Sequence, residues 1–367
     1  MNAWWYFAIA AAASLVASVV VRAAARRGGV VDRPEDDPAR KVHSRPVPLL
    51  GGLAIFVSFF TLVAVLSQQP GTVTGIFVLP KHLWGIFIGA CLLMLGGYLD
   101  DRYRLSPRKQ IIFPVLATLA VIASGVGVKF ITNPLGGVIR LDSINIPIAS
   151  WGGVTYHLTL WADVFSFVWL MGMAYTTKFL DGLDGLVSGI TAIGSVIVFL
   201  LSMRPPVLQP ETANLAIILA GACTGFLALN WHPARLFLGE GGSLLTGFLL
   251  GTLAIIAGGK IATALLIMGI PMLDVAWVIV RRALVERRSP FYTADKKHLH
   301  FRLLDVGFSH RGAVLFLYLL TAVFGAATLL FRGAEKLLIL LVLGLVMVGL
   351  ATALVIGASR RRAAEKP

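Results

Sequence analysis

Residues 1–21 read MNAWWYFAIAAAASLVASVVV. The apolar run starts at residue 3 with no basic residue before it, and it is long enough to cross a bilayer. A cleavable signal peptide has a positive start and a shorter apolar core. The stretch therefore reads as a membrane span, anchored at the interface by Trp4, Trp5 and Tyr6. Ten more apolar stretches follow, at 49–66, 83–99, 111–128, 159–176, 186–202, 212–229, 242–257, 261–280, 312–331 and 337–357. The expected fold is an all-α polytopic membrane protein with about 11 transmembrane helices (10–11). A single membrane domain over 1–367 accounts for the whole chain.

Composition agrees. Of 367 residues 57% are apolar and 14% charged, against roughly 25% charged in a soluble domain. Mean hydropathy is +0.83. A cytosolic enzyme, a disordered chain and a coiled coil are all excluded. Cys91 and Cys223 both lie in apolar runs, which excludes a disulfide framework and a Cys-based zinc site. The net charge of +14 would suggest nucleic acid in a soluble protein. Here the charges sort by side instead. With the N-terminus outside and the C-terminus cytoplasmic, 25 of the 32 Lys and Arg fall in the inner segments. That is the positive-inside pattern, and no nucleic-acid partner is needed to explain the charge. The longest outer segment, 129–158, alternates β-branched and polar residues around Pro134-Leu135-Gly136-Gly137 and reads as a small external β-hairpin.

Acidic residues are scarce, and five of them fall at inner helix ends: Asp100, Asp101, Asp181, Asp184 and Glu240. One such group is an ordinary headgroup-zone charge; five, each inside a Gly- or His-bearing motif, point to a site. In GGYLDDRYRLSPRKQ, 96–110, two adjacent carboxylates need a nearby cation to ionise together, and one of them could accept a proton. In KFLDGLDGLVSGI, 178–190, Lys178, Asp181 and Asp184 recur every three residues, which predicts one helix face. In NWHPARLFLGEGGSLLTG, 230–247, Pro233 stops one helix and Glu240 opens another. A helix start suits phosphate, and Glu240 is a hard oxygen ligand for Mg²⁺. His232 could be a ligand or an interfacial residue, and on its own it reads as the latter. In SPFYTADKKHLHFRLLDVGFSHRG, 289–312, His298, His300 and Arg302 sit in a basic loop suited to an anion or a sugar phosphate. Lys41 and His43 precede a Pro-x-Pro-x-x-Gly-Gly turn, 46–52. The set describes a cytoplasmic-facing site with carboxylates, a divalent ion and a ring of cations. That chemistry suits a nucleotide-activated phosphate and a phospholipid.

The ordered motifs RKxHxxPxPxxGG (40–52), LDDR (99–102), LDGLDGL (180–186), NxHPARxFxGE (230–240) and HLHxRLLDxGxSHR (298–311) resemble those of the polyprenyl-phosphate N-acetylhexosamine-1-phosphate transferases. The resemblance runs from about residue 32 to 320. It implies ten or eleven membrane helices, frequent homodimers, and Mg²⁺-dependent transfer, with Mn²⁺ as an alternative ion. The reaction implied moves a HexNAc-1-phosphate from a UDP-HexNAc to undecaprenyl phosphate at the cytoplasmic face of a bacterial inner membrane and releases UMP. Carried over residue by residue, Asp100 is the base at the lipid phosphate and Asp101 its support. Asp181, with Asp100 and Asp101, is a catalytic residue, and Asp181 and Glu240 hold the metal. Asp184, Asn230 and Lys178 meet the nucleotide. His298, His300 and Arg302, with Lys41 and His43, reach the sugar or diphosphate. Lys178 stands where the family has Asn, and Glu240 where it has Asp. The last inner loop lacks the three-histidine run of the muramoyl-pentapeptide branch, so UDP-GlcNAc is the donor expected, as in the first membrane step of envelope polysaccharides such as lipopolysaccharide or teichoic acid. The alternatives are the muramoyl-pentapeptide reaction of peptidoglycan synthesis, a secondary transporter, and a non-catalytic lipid-binding relative. A transporter would show repeat symmetry and midplane charges; only Asp274, beside Pro271, reads as deep.

Overall fold

Each of the eleven apolar stretches contains a helix in the computed structural model, which describes residues 2–36, 45–133, 137–151, 154–205, 207–258, 261–285, 298–331 and 335–364. In chain order the elements are α1 (Ala3–Arg27), β1 (Val31–Asp32), β2 (Val47–Pro48), α2 (Gly52–Leu66), α3 (Pro80–Tyr103), α4 (Pro107–Gln110) and α5 (Ile112–Ala123). Then come β3 (Phe130–Thr132), β4 (Val138–Arg140), β5 (Asn145–Trp151), β6 (Val154–Thr159), α6 (Leu160–Leu180), α7 (Leu186–Ser202) and α8 (Pro210–Asn230). The last are α9 (Gly239–Ile256), α10 (Ile261–Val280), α11 (Leu299–Asp305), α12 (His310–Leu330) and α13 (Glu335–Ala364). Seven helices among the described residues are long and apolar enough to cross a membrane: α1, α3, α8, α9, α10 with its extension to Leu284, α12 and α13. The chain is a mostly helical, multi-pass membrane protein.

Two sequence expectations change. The segment 129–158 holds two antiparallel pairs rather than one hairpin, β3 with β4 and β5 with β6. And 178–190 is not one helix. α6 ends at Leu180, and α7 starts at Leu186 after Gly185, whose φ of +81° lies in the left-handed region. A three-residue spacing fits a turn as well as a helix; two glycines here select the turn.

Of the seven long apolar helices, α8 and α9 are the most buried and α1 and α13 the least; the shorter α7 is also largely buried. α9 packs on α2, α3, α6 and α7. Its glycines permit this: a Cβ on Gly97 of α3 would collide with the Gly241 backbone, and one on Gly52 of α2 with Gly242. Small residues let membrane helices approach backbone to backbone. The contact brings the end of α3 to the start of α9, and both carry carboxylates.

Candidate active site

α3 ends in Asp100 and Asp101. Arg104, at φ +52°, reverses the chain behind them. Asp100 Oδ1 accepts from the Leu105 N–H at 2.8 Å, which holds the reversal, and α4 then returns Gln110, whose Nε2 donates to the same oxygen at 2.9 Å. Asp101 Oδ1 accepts from the Glu240 N–H at 3.2 Å in the first turn of α9. The helix start that the sequence reserved for phosphate is thus capped in part by a carboxylate, where the positive end of the helix favours one.

Glu240 pairs with Lys178, in the last turn of α6. Lys178 Nζ also donates to Gln110 Oε1 at 3.1 Å. The two departures from the family pattern are therefore one contact. The charges of Glu240, Asp100 and Asp181 all bear on Asp101, so the four carboxylates form one electrostatic cluster. Asp181 caps α6 at the exposed mouth of this cluster. The residue keeps an exposed surface, but burial of its carboxyl, then the charges of Glu240 and Asp184, push that group up to about 7.

Asp184 lies within the Asp181–Gly185 turn and makes its own set of contacts. Its Oδ2 meets His232 Nδ1 at 2.7 Å and accepts from the Ala234 N–H at 3.0 Å. Its own N–H donates to His310 Nε2 at 2.9 Å. His232 and His310 stack with ring centroids 3.9 Å apart and planes 14° apart, while Arg311 donates to the His232 carbonyl at 3.0 and 2.8 Å. His232, read from sequence as interfacial, is a member of this cluster. Asp184, His232 and His310 bring possible ligand atoms within 4.8 Å of one another. Nearly parallel rings, however, cannot aim two in-plane lone pairs at one ion about 2.0–2.1 Å away. The cluster is a hydrogen-bonded stack rather than a chelate.

Other expected residues lie deeper. Asn230 Oδ1 accepts from the Gly185 N–H at 3.0 Å and from Ser188 Oγ at 3.1 Å, and its Nδ2 donates to the Leu236 carbonyl at 3.0 Å. Its buried amide is spent on holding the start of α7. His298 Nδ1 lies 2.8 Å from Asp274 Oδ2, and the Leu299 N–H donates to Asp274 Oδ1 at 2.9 Å. His300 is 1% exposed and packs beneath Gly182. Burial, with His298 and His310 nearby, holds it at about 3, so the ring is neutral. Neither histidine presents an open ring to solvent. Arg302 is half-buried on α11. Lys41 and His43 fall outside the described residues. Gln110 and His310 are site residues that sequence reasoning does not find, while Asp274 reads there only as a deep charge. His310 lies inside the HLHxRLLDxGxSHR motif, and a neutral amide in a basic loop leaves no sequence signal.

The carboxylates around Asp101 come from three separated segments, with the Lys178 ammonium paired to Glu240 among them. Carboxylate oxygens are the donor type that suits a hard divalent cation such as Mg²⁺.

A profile of the family described as glycosyl transferase family 4 matches residues 83–258, which hold both carboxylate helices. The decaprenyl-phosphate N-acetylglucosaminephosphotransferase of Mycobacterium tuberculosis is 32% identical over 338 residues, covering 85% of this chain and 80% of the relative. The chain belongs to glycosyl transferase family 4. Within this family it is also similar to the undecaprenyl-phosphate alpha-N-acetylglucosaminyl 1-phosphate transferase of Thermotoga maritima, 31% identical over 74% of this chain and 71% of the relative. The phospho-N-acetylmuramoyl-pentapeptide-transferase of Desulforamulus reducens is 31% identical over 80% and 85%. Membership makes this glycosyl transferase family 4 chain a phosphoglycosyltransferase.

Proposed function

We propose that the protein transfers GlcNAc-1-phosphate from UDP-GlcNAc to undecaprenyl phosphate, giving undecaprenyl-diphospho-GlcNAc and UMP, as the first membrane step of a cell-envelope polysaccharide. The observation that carries this is the convergence of Asp100, Asp101, Asp181 and Glu240 with Lys178 where three helices meet. The names of the relatives agree with a polyprenyl-phosphate acceptor and an N-acetylglucosamine phosphate cargo. The motif ends face the cytoplasm in an eleven-span topology with the N-terminus outside, in the inner membrane of a bacterium, and the whole chain acts as one membrane domain.

In this reading an oxygen of the lipid phosphate attacks the sugar-bearing phosphorus of the donor. The new P–O bond joins the two phosphates, and the P–O bond to the uridine-side phosphate breaks, so UMP leaves. Asp100 takes the remaining proton from the lipid phosphate and orients it. Asp101 holds the first turn of α9 in place beneath it. Glu240 and Asp181 would hold Mg²⁺, which supplies charge neutralisation for the diphosphate. The Asp184–His232–His310 stack offers a flat, hydrogen-bonding surface for the nucleoside. Arg302 reaches the sugar or the diphosphate, while His298, held by Asp274, and His300, beneath Gly182, lie in the protein behind it.

Purified protein with radiolabelled UDP-GlcNAc, undecaprenyl phosphate and Mg²⁺ forms a labelled lipid under this proposal, and EDTA stops it. Asp100→Asn lowers the rate by about 10²–10⁴-fold, the range for a lost general base. The same assay with UDP-N-acetylmuramoyl-pentapeptide distinguishes the other branch. No product with any UDP-HexNAc would overturn the proposal.

A further inference from the structure

Asp100 closes α3 and Glu240 opens α9. A continuous chain of side chains joins them. Gln110 Nε2 donates to Asp100 Oδ1 at 2.9 Å and to the Leu105 carbonyl at 2.9 Å. Gln110 Oε1 accepts from Lys178 Nζ at 3.1 Å. Lys178 pairs with Glu240 and lies 5.5 Å over the Tyr175 ring. An amide has a donor end and an acceptor end, and here each meets its match: the carboxylate faces nitrogen and the ammonium faces oxygen. A flipped Gln110 would set like against like at both ends. The chain Asp100–Gln110–Lys178–Glu240 therefore has one orientation.

The pair is also poorly solvated, with side chains 19% and 18% exposed. A charge at that depth needs fixed partners to offset lost hydration. Lys178 has three, contributed by α4, α6 and α9.

We propose that Gln110 and Lys178 are positioning residues: they fix Asp100 relative to Glu240, and Lys178 shares Glu240 with a divalent cation. This rests on the reading above, in which Asp100 serves the acceptor phosphate and Glu240 belongs to the metal-binding set. The physical consequence has an unusual sign. Lys178 repels a divalent ion while it aligns the carboxylates. Removing its charge therefore strengthens Mg²⁺ binding and weakens transfer. A residue that only maintained the fold would weaken both.

The experiment uses purified full-length protein in detergent, with Gln110→Leu, Lys178→Met, the double variant and Lys178→Arg. Two quantities are measured: the Mg²⁺ midpoint from thermal shift without substrates, and kcat and KM for UMP release from UDP-GlcNAc. Lys178→Met lowers the Mg²⁺ midpoint several-fold and lowers kcat by about 10–100-fold, the range for residues that orient metal ligands. Gln110→Leu lowers kcat in the same range and leaves donor KM within about twofold, as expected for a residue that orients without touching substrate. The double variant loses no more than the worse single, because both break one chain. Lys178→Arg keeps the cation and holds the midpoint near wild type, which separates charge from a folding defect. Additive losses, or a midpoint unchanged or raised in Lys178→Met, overturn the proposal. If wild-type protein releases no UMP from any UDP-HexNAc, the functional reading fails, and the Mg²⁺ midpoints still decide the role of Lys178.

Discussion

Asp181 combines an exposed position with a carboxyl pushed up to about 7. Its ordinary value is 3.8. Between those values the folded protein binds more protons than the unfolded one, so this group's contribution to stability falls as pH rises through the window. Thermal melts in EDTA will fall from pH 5 to pH 8, and Asp181→Asn will flatten that slope; an unchanged slope would show that Asp181 is not the group responsible. The site was most legible in the sequence at this scale. Carboxylates are rare in an apolar chain, so Asp100, Asp101, Asp181, Asp184 and Glu240 stood out by chemistry alone. Gln110 could not stand out: its importance lies in what its two amide ends face, which only the fold decides. Asn230 stood out for the wrong reason, since its amide is consumed inside the protein.

At the scale of elements, α11 is seven residues long and has little intrinsic stability. Asp274 of α10 supports its start through both the His298 ring and the Leu299 N–H. Asp274→Ala leaves these buried donors unpaired, at about 1–3 kcal/mol for each. We expect hydrogen exchange to rise across Leu299–Asp305 before the rest of the molecule loosens; exchange that stays at wild-type levels there would remove Asp274 as the anchor. Most helices were readable because length and apolarity suffice to mark them. Their junctions were not. The turn at Asp181–Gly185 hid behind a helix-like spacing, and the segment at 129–158 split into two pairs because alternation marks strands but not how many turns separate them.

At the scale of the molecule, the sequence speaks to sidedness more directly than the fold does, since a helix bundle looks alike from either face and only the charges differ. The proposed orientation gathers 25 of the 32 basic residues on one side, and it puts 129–158 outside and 100–110 inside. In a background without Cys91 and Cys223, a cysteine replacing Asp142 will react with a membrane-impermeant maleimide in intact cells. One replacing Arg108 will react only after permeabilisation. The reverse pattern would invert the orientation.

The bond between Asp101 and the Glu240 N–H spans 139 residues of sequence. A ribosome adding about 5–20 residues per second makes the second partner about 7–28 s after the first. For that interval the paired aspartates stand at the end of α3 before the helix start that Asp101 caps exists, with Arg102 and Arg104 beside them in sequence. A cationic flank thus accompanies the nascent carboxylates from the start, and the centre is completed only after most of the bundle has been made.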